Sequence, residues 1–95
     1  MKHYFGVSLV KNGLLGGSIV ADSEAITYHT GKITVPREYR HLAMQYSEIS
    51  AVAKGWLLFL PTVTVTMRSG VQHKFAVFFG RKRLVDILTQ MGVRG

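Results

Sequence analysis

Three cations stand in a row at Arg81, Lys82 and Arg83, directly after a phenylalanine-rich run and a glycine. Guanidinium and ammonium groups bind phosphate and carboxylate, so this triplet is a candidate anion- or lipid-binding site. If a helix begins at Arg81, a bound anion would also meet the unpaired N–H groups of its first turn. The alternative is a solvated first turn in which Arg81 or Lys82 pairs with Asp86, because charge runs on small basic domains mostly face water.

A second set of cations lies in the irregular polar segment before residue 41. Lys32, Arg37 and Arg40 supply three positive charges, while Glu38 reduces the net charge of the segment. Loops carry binding residues more often than cores do, so these cations are a second candidate for binding an anion or a lipid. The alternative is again a solvated loop.

The residue types that metal sites and catalysis need are scattered along the chain. The four histidines do not pair at short spacing and cysteine is absent, so the sequence predicts no metal site, although His29 and His41 could meet across strands. No serine stands in a Gly-x-Ser-x-Gly elbow, and no Lys-Ser or Lys-Thr follows the glycines at 13–17. Asp22 and Glu24 share a turn, which fits a solvated reversal better than an acid/base pair. We therefore predict a protein without catalytic residues, metal or cofactor.

Composition narrows the class of protein further. The chain has 95 residues, which predicts one domain over 1–95 with one core, and its 47% hydrophobic content excludes a disordered chain. A formal charge of +7 attracts phosphates, anionic lipid, nucleic acid or an acidic partner without choosing among them. No window reaches the ~20 apolar residues of a membrane span, and Lys11 and Asn12 interrupt the only run that imitates a signal peptide. These features favour a cytoplasmic protein, or one peripheral at a membrane.

Turn signals divide most of the chain into strand-sized segments. They are Asn12-Gly13, Asp22-Ser23, Thr30-Gly31, Lys54-Gly55 and Ser69-Gly70. Residues 62–67 alternate valine or methionine with threonine, the period of two that is typical of a half-buried strand, and 74–79 follow as the second strand of a hairpin, with Phe79 on the same face as Phe75. Further strands are predicted at 4–10, 14–21, 25–29, 41–46, 49–53 and 56–60.

One amphipathic helix is predicted, at 81–91. Leu84, Ile87, Leu88 and Met91 recur at helical spacing and form one apolar stripe, and Gly92 follows as a stop signal. A small sheet must close or curl to protect its edges, and a terminal helix with one apolar stripe can cover its open end. We therefore predict a mainly β fold, an antiparallel barrel of six to seven strands capped by a C-terminal α-helix.

The run from Trp56 to Leu60 is apolar on both faces, so both faces are expected to be covered, with Trp56 in the core or at the barrel end. If the run is exposed instead, Trp56, Leu58 and Leu60 are candidates for contact with another protein, including a second copy of this chain in a homo-oligomer. Pro61 lacks a ladder donor and indicates a bulge or an edge position.

The order of features from 16 to 91 resembles the GRAM branch of the pleckstrin-homology-like superfamily. The resemblance rests on Gly17-Ser-Ile-Val-Ala-Asp-Ser-Glu-Ala-Ile-Thr-Tyr, Met44-Gln-Tyr-Ser-Glu-Ile-Ser-Ala-Val, Gly70, Lys74-Phe-Ala-Val-Phe-Phe and Arg81-Lys-Arg-Leu-Val-Asp-Ile-Leu. It implies a PH-like barrel and a non-enzymatic module that docks to anionic membrane or a protein partner, or self-associates. Lipid-binding relatives carry basic residues in the first long turn, whereas the comparable turn here, 21–24, is short and acidic.

Two other functions compete with this interpretation. Small basic barrels also bind nucleic acid by stacking bases on aromatic side chains. Here most aromatics alternate inward or lie in apolar runs, which disfavours nucleic acid as the partner. A purely structural oligomerisation unit, in which the positive charge serves solubility only, is the third alternative.

Overall fold

The structure is a computed structural model that describes residues 2–11, 13–31 and 37–94 of the chain. In these ranges seven β-strands precede one α-helix, and single turns of 3-10 helix, Arg37–Tyr39 and Tyr46–Glu48, flank the fourth strand. The strands are β1 (His3–Val10), β2 (Leu14–Ala21), β3 (Ala25–His29), β4 (His41–Gln45), β5 (Ile49–Leu57), β6 (Leu60–Met67) and β7 (Gln72–Val77), and the helix is α1 (Arg81–Gln90).

The seven described strands form one curled sheet that closes about half of a barrel, in the order β4-β3-β2-β1-β7-β6-β5. All neighbouring pairs run antiparallel. β1 stands at the centre, between β2 and β7, whereas β4 and β5 are the outermost strands. The predicted mainly β fold, with six to seven antiparallel strands and a C-terminal helix, is confirmed.

The core lies on the concave face of this sheet. Phe5, Val7 and Leu9 of β1 are buried because alternate residues of a strand point to the same side. Val63 and Val65 of β6 are buried for the same reason, as the alternation of valine and threonine predicts. Other core residues include Ile19, Ile26, Tyr28, Met44 and Phe75.

Helix α1 packs against this core through a stripe that is narrower than the sequence predicts. Leu84 and Leu88 are fully buried, Ile87 is half-buried, and Met91 is exposed just beyond the end of the helix. Gly92 has a φ of +89°, so it serves as the predicted glycine stop. In the described part of the chain, no helix is long and apolar enough to cross a membrane.

The predicted turn at Lys54-Gly55 is wrong. Strand β5 continues through both residues to Leu57, and the chain reverses directly after it, at Leu58 and Phe59. Gly55 serves close packing instead, because a Cβ at this position would lie only 3.1 Å from the Oγ1 atom of Thr62 on β6. The apolar run is therefore split between the end of one strand, a turn and the start of the next.

The acidic turn, residues 21–24, is shaped by one of its carboxylates. The first connection between strands is 11–13, and the acidic turn joins β2 to β3. There the carboxylate of Asp22 accepts hydrogen bonds from the N–H groups of Glu24 at 2.8 Å and Ala25 at 2.9 Å. These two bonds hold the pKa of Asp22 below its ordinary value of 3.8, so the carboxylate shapes the turn.

Candidate functional site

The hairpin of β5 and β6 projects beyond the rest of the sheet. Its last two residue pairs, Trp56 with Pro61 and Leu57 with Leu60, lie past Thr62, where the pairing of β6 with β7 begins. The proline therefore occupies an edge position, as predicted. We call residues 56–60 the hairpin tip.

The turn of the hairpin tip is apolar and exposed. Leu58 has 89% of its surface accessible and Phe59 has 82%, and Trp56 beside them has 63%. Core packing of this run, the first interpretation from the sequence, is therefore wrong, and its alternative of an exposed patch is correct. Of the three predicted contact residues, Trp56 and Leu58 are exposed and Leu60 is half-buried.

The backbone of the turn is strained as well. Leu58 has a φ of +55° and is the one non-glycine residue with positive φ in the part of the chain that the structure describes. This conformation costs an L-residue about 1–2 kcal/mol, and two-residue hairpin turns favour Asn-Gly for that reason. A bulky apolar residue that is both strained and exposed does not stabilise the fold.

A further exposed aromatic residue, Phe79, lies where β7 passes into α1. We predicted that Phe79 would continue the inward face of β7, but the strand ends at Val77. Phe79 is therefore exposed, with 86% of its surface accessible. Gly80 then turns the chain with a φ of +82°, and a Cβ there would lie 3.3 Å from the ring of Phe5. We call residues 79–83 the helix corner.

The three cations of the helix corner point to different partners. Arg81 joins the corner to the hairpin: its Nη1 atom donates to the carbonyl of Gly55 at 2.8 Å, and its guanidinium lies 4.9 Å from the centre of the Trp56 ring. Lys82 pairs with Asp86 at 3.5 Å, as the solvated-turn alternative predicts. The Nη2 atom of Arg83 lies 2.9 Å from the Nδ1 atom of His3. Arg81, Lys82 and Arg83 therefore do not converge on one anion-binding site.

Arg81 instead assembles a composite surface from two separate segments. On this surface the exposed ring of Trp56 lies next to Arg81, and Lys54 is exposed one residue before Gly55 on the same strand. We call hairpin residues 54–60 together with corner residues 79–83 the aromatic–cationic face. Sequence analysis missed two of its members, Phe59 and Phe79, because neither a continuous apolar run nor an alternating pattern shows where a strand stops.

The second set of predicted cations lies elsewhere. Arg37 and Arg40 belong to the connection between β3 and β4, at the end of β1 opposite to the helix corner, and Lys32 lies outside the described residues. A crevice of about 210 Å³ at this end contains Lys11 and Lys74, and the ammonium of Lys11 lies 5.2 Å from the centre of a tyrosine ring. The fold does not bring the two basic sets together.

The other side-chain clusters and depressions of the described residues show no metal-binding group. His29 and His41 are cross-strand neighbours with ring centres 6.0 Å apart, the meeting that the sequence left open. Among residues 2–11, 13–31 and 37–94, no three His, Asp or Glu side chains form a group that could hold a metal ion. A wide, shallow depression of about 620 Å³ on the outer face of β1 to β3 is lined largely by glycine and serine.

Comparison with known proteins informs the fold alone. No family model matches the chain. A search of curated proteins finds no match either. Among solved structures, the C-terminal domain of an unknown protein from Leishmania infantum superposes with a TM-score of 0.76 at 14% identity, over 94% of this chain and 80% of that one. At that identity the likeness shows a shared fold.

Proposed function

We propose that this protein is a non-enzymatic, GRAM-like docking module that binds anionic membrane surfaces through its aromatic–cationic face. The observation that carries the proposal is the turn at Leu58 and Phe59, where two bulky apolar side chains are exposed on a strained backbone. The curled sheet of antiparallel strands and its closing helix agree with the barrel that the resemblance to GRAM domains implies. Apolar residues at a projecting tip, with cations behind them, match the layering of a membrane, in which headgroup phosphates lie above acyl chains.

The spacing along the hairpin supports this match. Arg81 is held at the carbonyl of Gly55, and Leu58 follows three residues later, which corresponds to about 10 Å of extended chain. Interfacial segments bury their apolar residues about 5–10 Å into the boundary between headgroups and acyl chains. With the guanidinium near the phosphates, Leu58 and Phe59 would therefore reach the acyl chains, and Trp56 would lie in the interface that tryptophan favours.

The electrostatics of the face also suit an anionic surface. Lys54 and Lys82 are exposed, and the pairing of Lys82 with Asp86 at 3.5 Å is of the weak, solvent-screened kind that a lipid phosphate can replace. Each cation near an anionic bilayer contributes about 1 kcal/mol.

A specific feature distinguishes this proposal from nucleic-acid binding. Single-stranded nucleic acid stacks its bases on exposed aromatic rings. At the tip, however, the most exposed large apolar residue is the aliphatic Leu58, which offers no ring. Phe59 beside it is also exposed, whereas one side of the Trp56 ring lies against the guanidinium of Arg81. Acyl chains accept both aliphatic and aromatic side chains, so the composition of the tip favours a membrane.

Trp56 is the sole tryptophan of the chain and supplies an internal probe. We expect the protein to co-sediment with vesicles of phosphatidylcholine and phosphatidylglycerol, and the emission of Trp56 to shift to shorter wavelength as it leaves water. The double variant Leu58→Ser, Phe59→Ser should lose most of this binding. The matched control, Leu14→Ser with Val71→Ser, removes two exposed apolar side chains outside the face and should bind like the wild type.

Three results would contradict the proposal. One is failure of the wild type to bind the vesicles, and another is equal loss of binding in the tip and control variants. The third is a tip variant that binds normally. If the wild type instead sediments in solution as an oligomer that the tip substitutions dissociate, the exposed turn serves self-association, and capture of an oligonucleotide with equal affinity would favour nucleic acid.

A further inference from the structure

The wide depression of about 620 Å³ on the outer face of β1 to β3 has an unpaired hydroxyl group in its floor. Ser8 lies on this face because it pairs with Ala76 of β7 and Gly16 of β2, whereas the adjacent Val7 and Leu9 point into the core. Only 5% of the surface of Ser8 is accessible, and its side chain has no hydrogen-bond partner among the described residues. Buried polar groups are normally bonded, so this hydroxyl is an anchor for a polar ligand.

Gly6 forms another part of the floor, and the fold itself does not require glycine there. Its φ is not positive, and a Cβ at this position would meet no atom within 4 Å beyond its chain neighbours. Glycine inside a strand weakens the strand and often marks a site where a ligand or another backbone approaches closely. Gly17 differs, because a Cβ there would lie 2.5 Å from the carbonyl oxygen of His29 on β3.

The depression also has an aromatic residue and a second hydroxyl group, but no charge. Phe78 lines it beside Gly6: its N–H donates to the carbonyl of Gly6 at 3.3 Å, and 42% of its surface is accessible. Ser18 of β2 is the cross-strand neighbour of Gly6 and supplies the second hydroxyl. None of the described lining residues is Lys, Arg, Asp or Glu, although the chain has a formal charge of +7.

These features define the class of ligand. Without charged groups in the lining, electrostatics do not favour phosphate, carboxylate or ammonium groups. Hydroxyl groups next to an aromatic ring suit a ligand that has both hydroxyl groups and an apolar CH face, as a sugar ring has. The volume lies within the range of about 300–1,000 Å³ that is typical of small-molecule sites.

We propose that the outer face of β1 to β3 binds a neutral saccharide. The hydroxyl groups of the sugar bond to Ser8 and Ser18, the CH face of one ring packs against Phe78, and Gly6 lets the ring approach the backbone of β1 closely. This binding does not depend on the docking of the aromatic–cationic face to a membrane, since the two surfaces share no residue.

An NMR titration of the isotope-labelled protein tests the proposal with four neutral disaccharides: maltose, cellobiose, lactose and diacetylchitobiose. We expect at least one of them to shift the backbone amide signals of Gly6, Ser8 and Ser18, with a dissociation constant on the order of 1 mM. The indole signal of Trp56, on the hairpin tip, should stay in place. Vesicles of phosphatidylcholine with and without lactosylceramide, which displays the same sugar as lactose, distinguish a lipid headgroup from a free saccharide.

Two variants of the floor have matched controls. Gly6→Val fills the floor and should abolish the shifts without lowering the unfolding temperature, whereas Ala53→Val adds similar bulk at an exposed position of β5 and should leave binding unchanged. Ser8→Ala should weaken binding about fivefold, the effect of one lost neutral hydrogen bond. Thr62→Val removes another buried hydroxyl that has no partner among the described residues, but one outside the depression, and should bind like the wild type.

The possible results either support the proposal or overturn it. It is overturned if none of the four disaccharides moves the three amide signals, or if Gly6→Val and Ala53→Val bind alike. A wild type that sediments as a dimer, and that Gly6→Val dissociates, would also overturn it, because this face would then contact a second copy of the chain. Tighter binding to lactosylceramide vesicles than to lactose would identify the saccharide as a lipid headgroup, and equal binding would identify it as a free sugar.

Discussion

At the scale of single residues, Leu58 shows a local conflict between residue type and environment. Its φ of +55° belongs to a region that glycine and asparagine occupy, and its side chain is almost wholly in water. The left-handed backbone disfavours leucine there and the exposed side chain adds no burial, so the residue lowers the stability of the free protein. Such a conflict is expected where a residue serves a partner and the rest of the fold supplies the stability.

The variant Leu58→Gly tests this conflict. Glycine takes the left-handed conformation without a clash at Cβ, so we expect the free energy of unfolding to rise by about 1 kcal/mol. Vesicle binding should fall at the same time, because the most exposed apolar side chain is gone. Denaturant unfolding and vesicle sedimentation measure the two effects. A variant that loses stability, or that binds as well as the wild type, would show that leucine is not retained for binding.

At the scale of elements, the β5–β6 hairpin and helix α1 have different structural roles. The β5–β6 hairpin presents the tip, while α1 closes the core and places its first turn beside that tip. Arg81 is the link, because its guanidinium contacts both the carbonyl of Gly55 and the ring of Trp56. The orientation of the hairpin tip therefore depends on how α1 packs against the core.

The packing of α1 against the core depends on its buried leucines, Leu84 and Leu88. Leu88 is fully buried, so Leu88→Ala should lower the free energy of unfolding by about 2–5 kcal/mol through lost burial and a residual cavity. Met91→Ala, three residues on but exposed, should change it by under about 1 kcal/mol. Urea unfolding followed by the emission of Trp56 measures both. Equal losses of unfolding free energy in the two variants would mean that Met91 also packs against the core, as the sequence predicted.

At the scale of the whole molecule, positive charge lies at both ends of β1, but the exposed apolar tip lies at one. Lys54 and Lys82 belong to the aromatic–cationic face, whereas Lys11 and Arg37 are exposed at the other end. A formal charge of +7 would draw the protein toward an anionic surface from any direction. In the proposed docking, the apolar tip would give the bound state a single orientation.

Charge removal at the two ends tests this orientation. Replacing Lys54 and Lys82 by glutamine should weaken binding to anionic vesicles roughly 30-fold, since each cation near the surface contributes about 1 kcal/mol. Replacing Lys11 and Arg37 by glutamine removes the same charge and should have a much smaller effect at physiological salt, where the screening length is about 8 Å. Titration with vesicles measures both affinities. Equal weakening would mean that net charge alone drives binding.

Much of the fold follows from local patterns in the sequence. The alternation in β6, the stripe of Leu84 and Leu88 and the glycine after α1 each depend on neighbours along the chain, and the structure confirms each. The cation triplet and the apolar run at 56–60 were likewise visible as candidates. The sequence did not show which group each cation contacts. The exception is the contact of Lys82 with Asp86, because residues four apart on a helix are neighbours.

The sequence by itself determined a small, basic, mainly β protein with one closing helix, because burial patterns of period two and 3.6 are properties of short segments. Only the tertiary structure decided which apolar residues face water, since that depends on where the neighbouring strand ends. Trp56, Phe59 and Phe79 are exposed because β7 does not extend far enough to cover the hairpin and then turns away at Gly80. The contact of Arg81 with Gly55, across 26 positions of sequence, depends on the same long-range geometry.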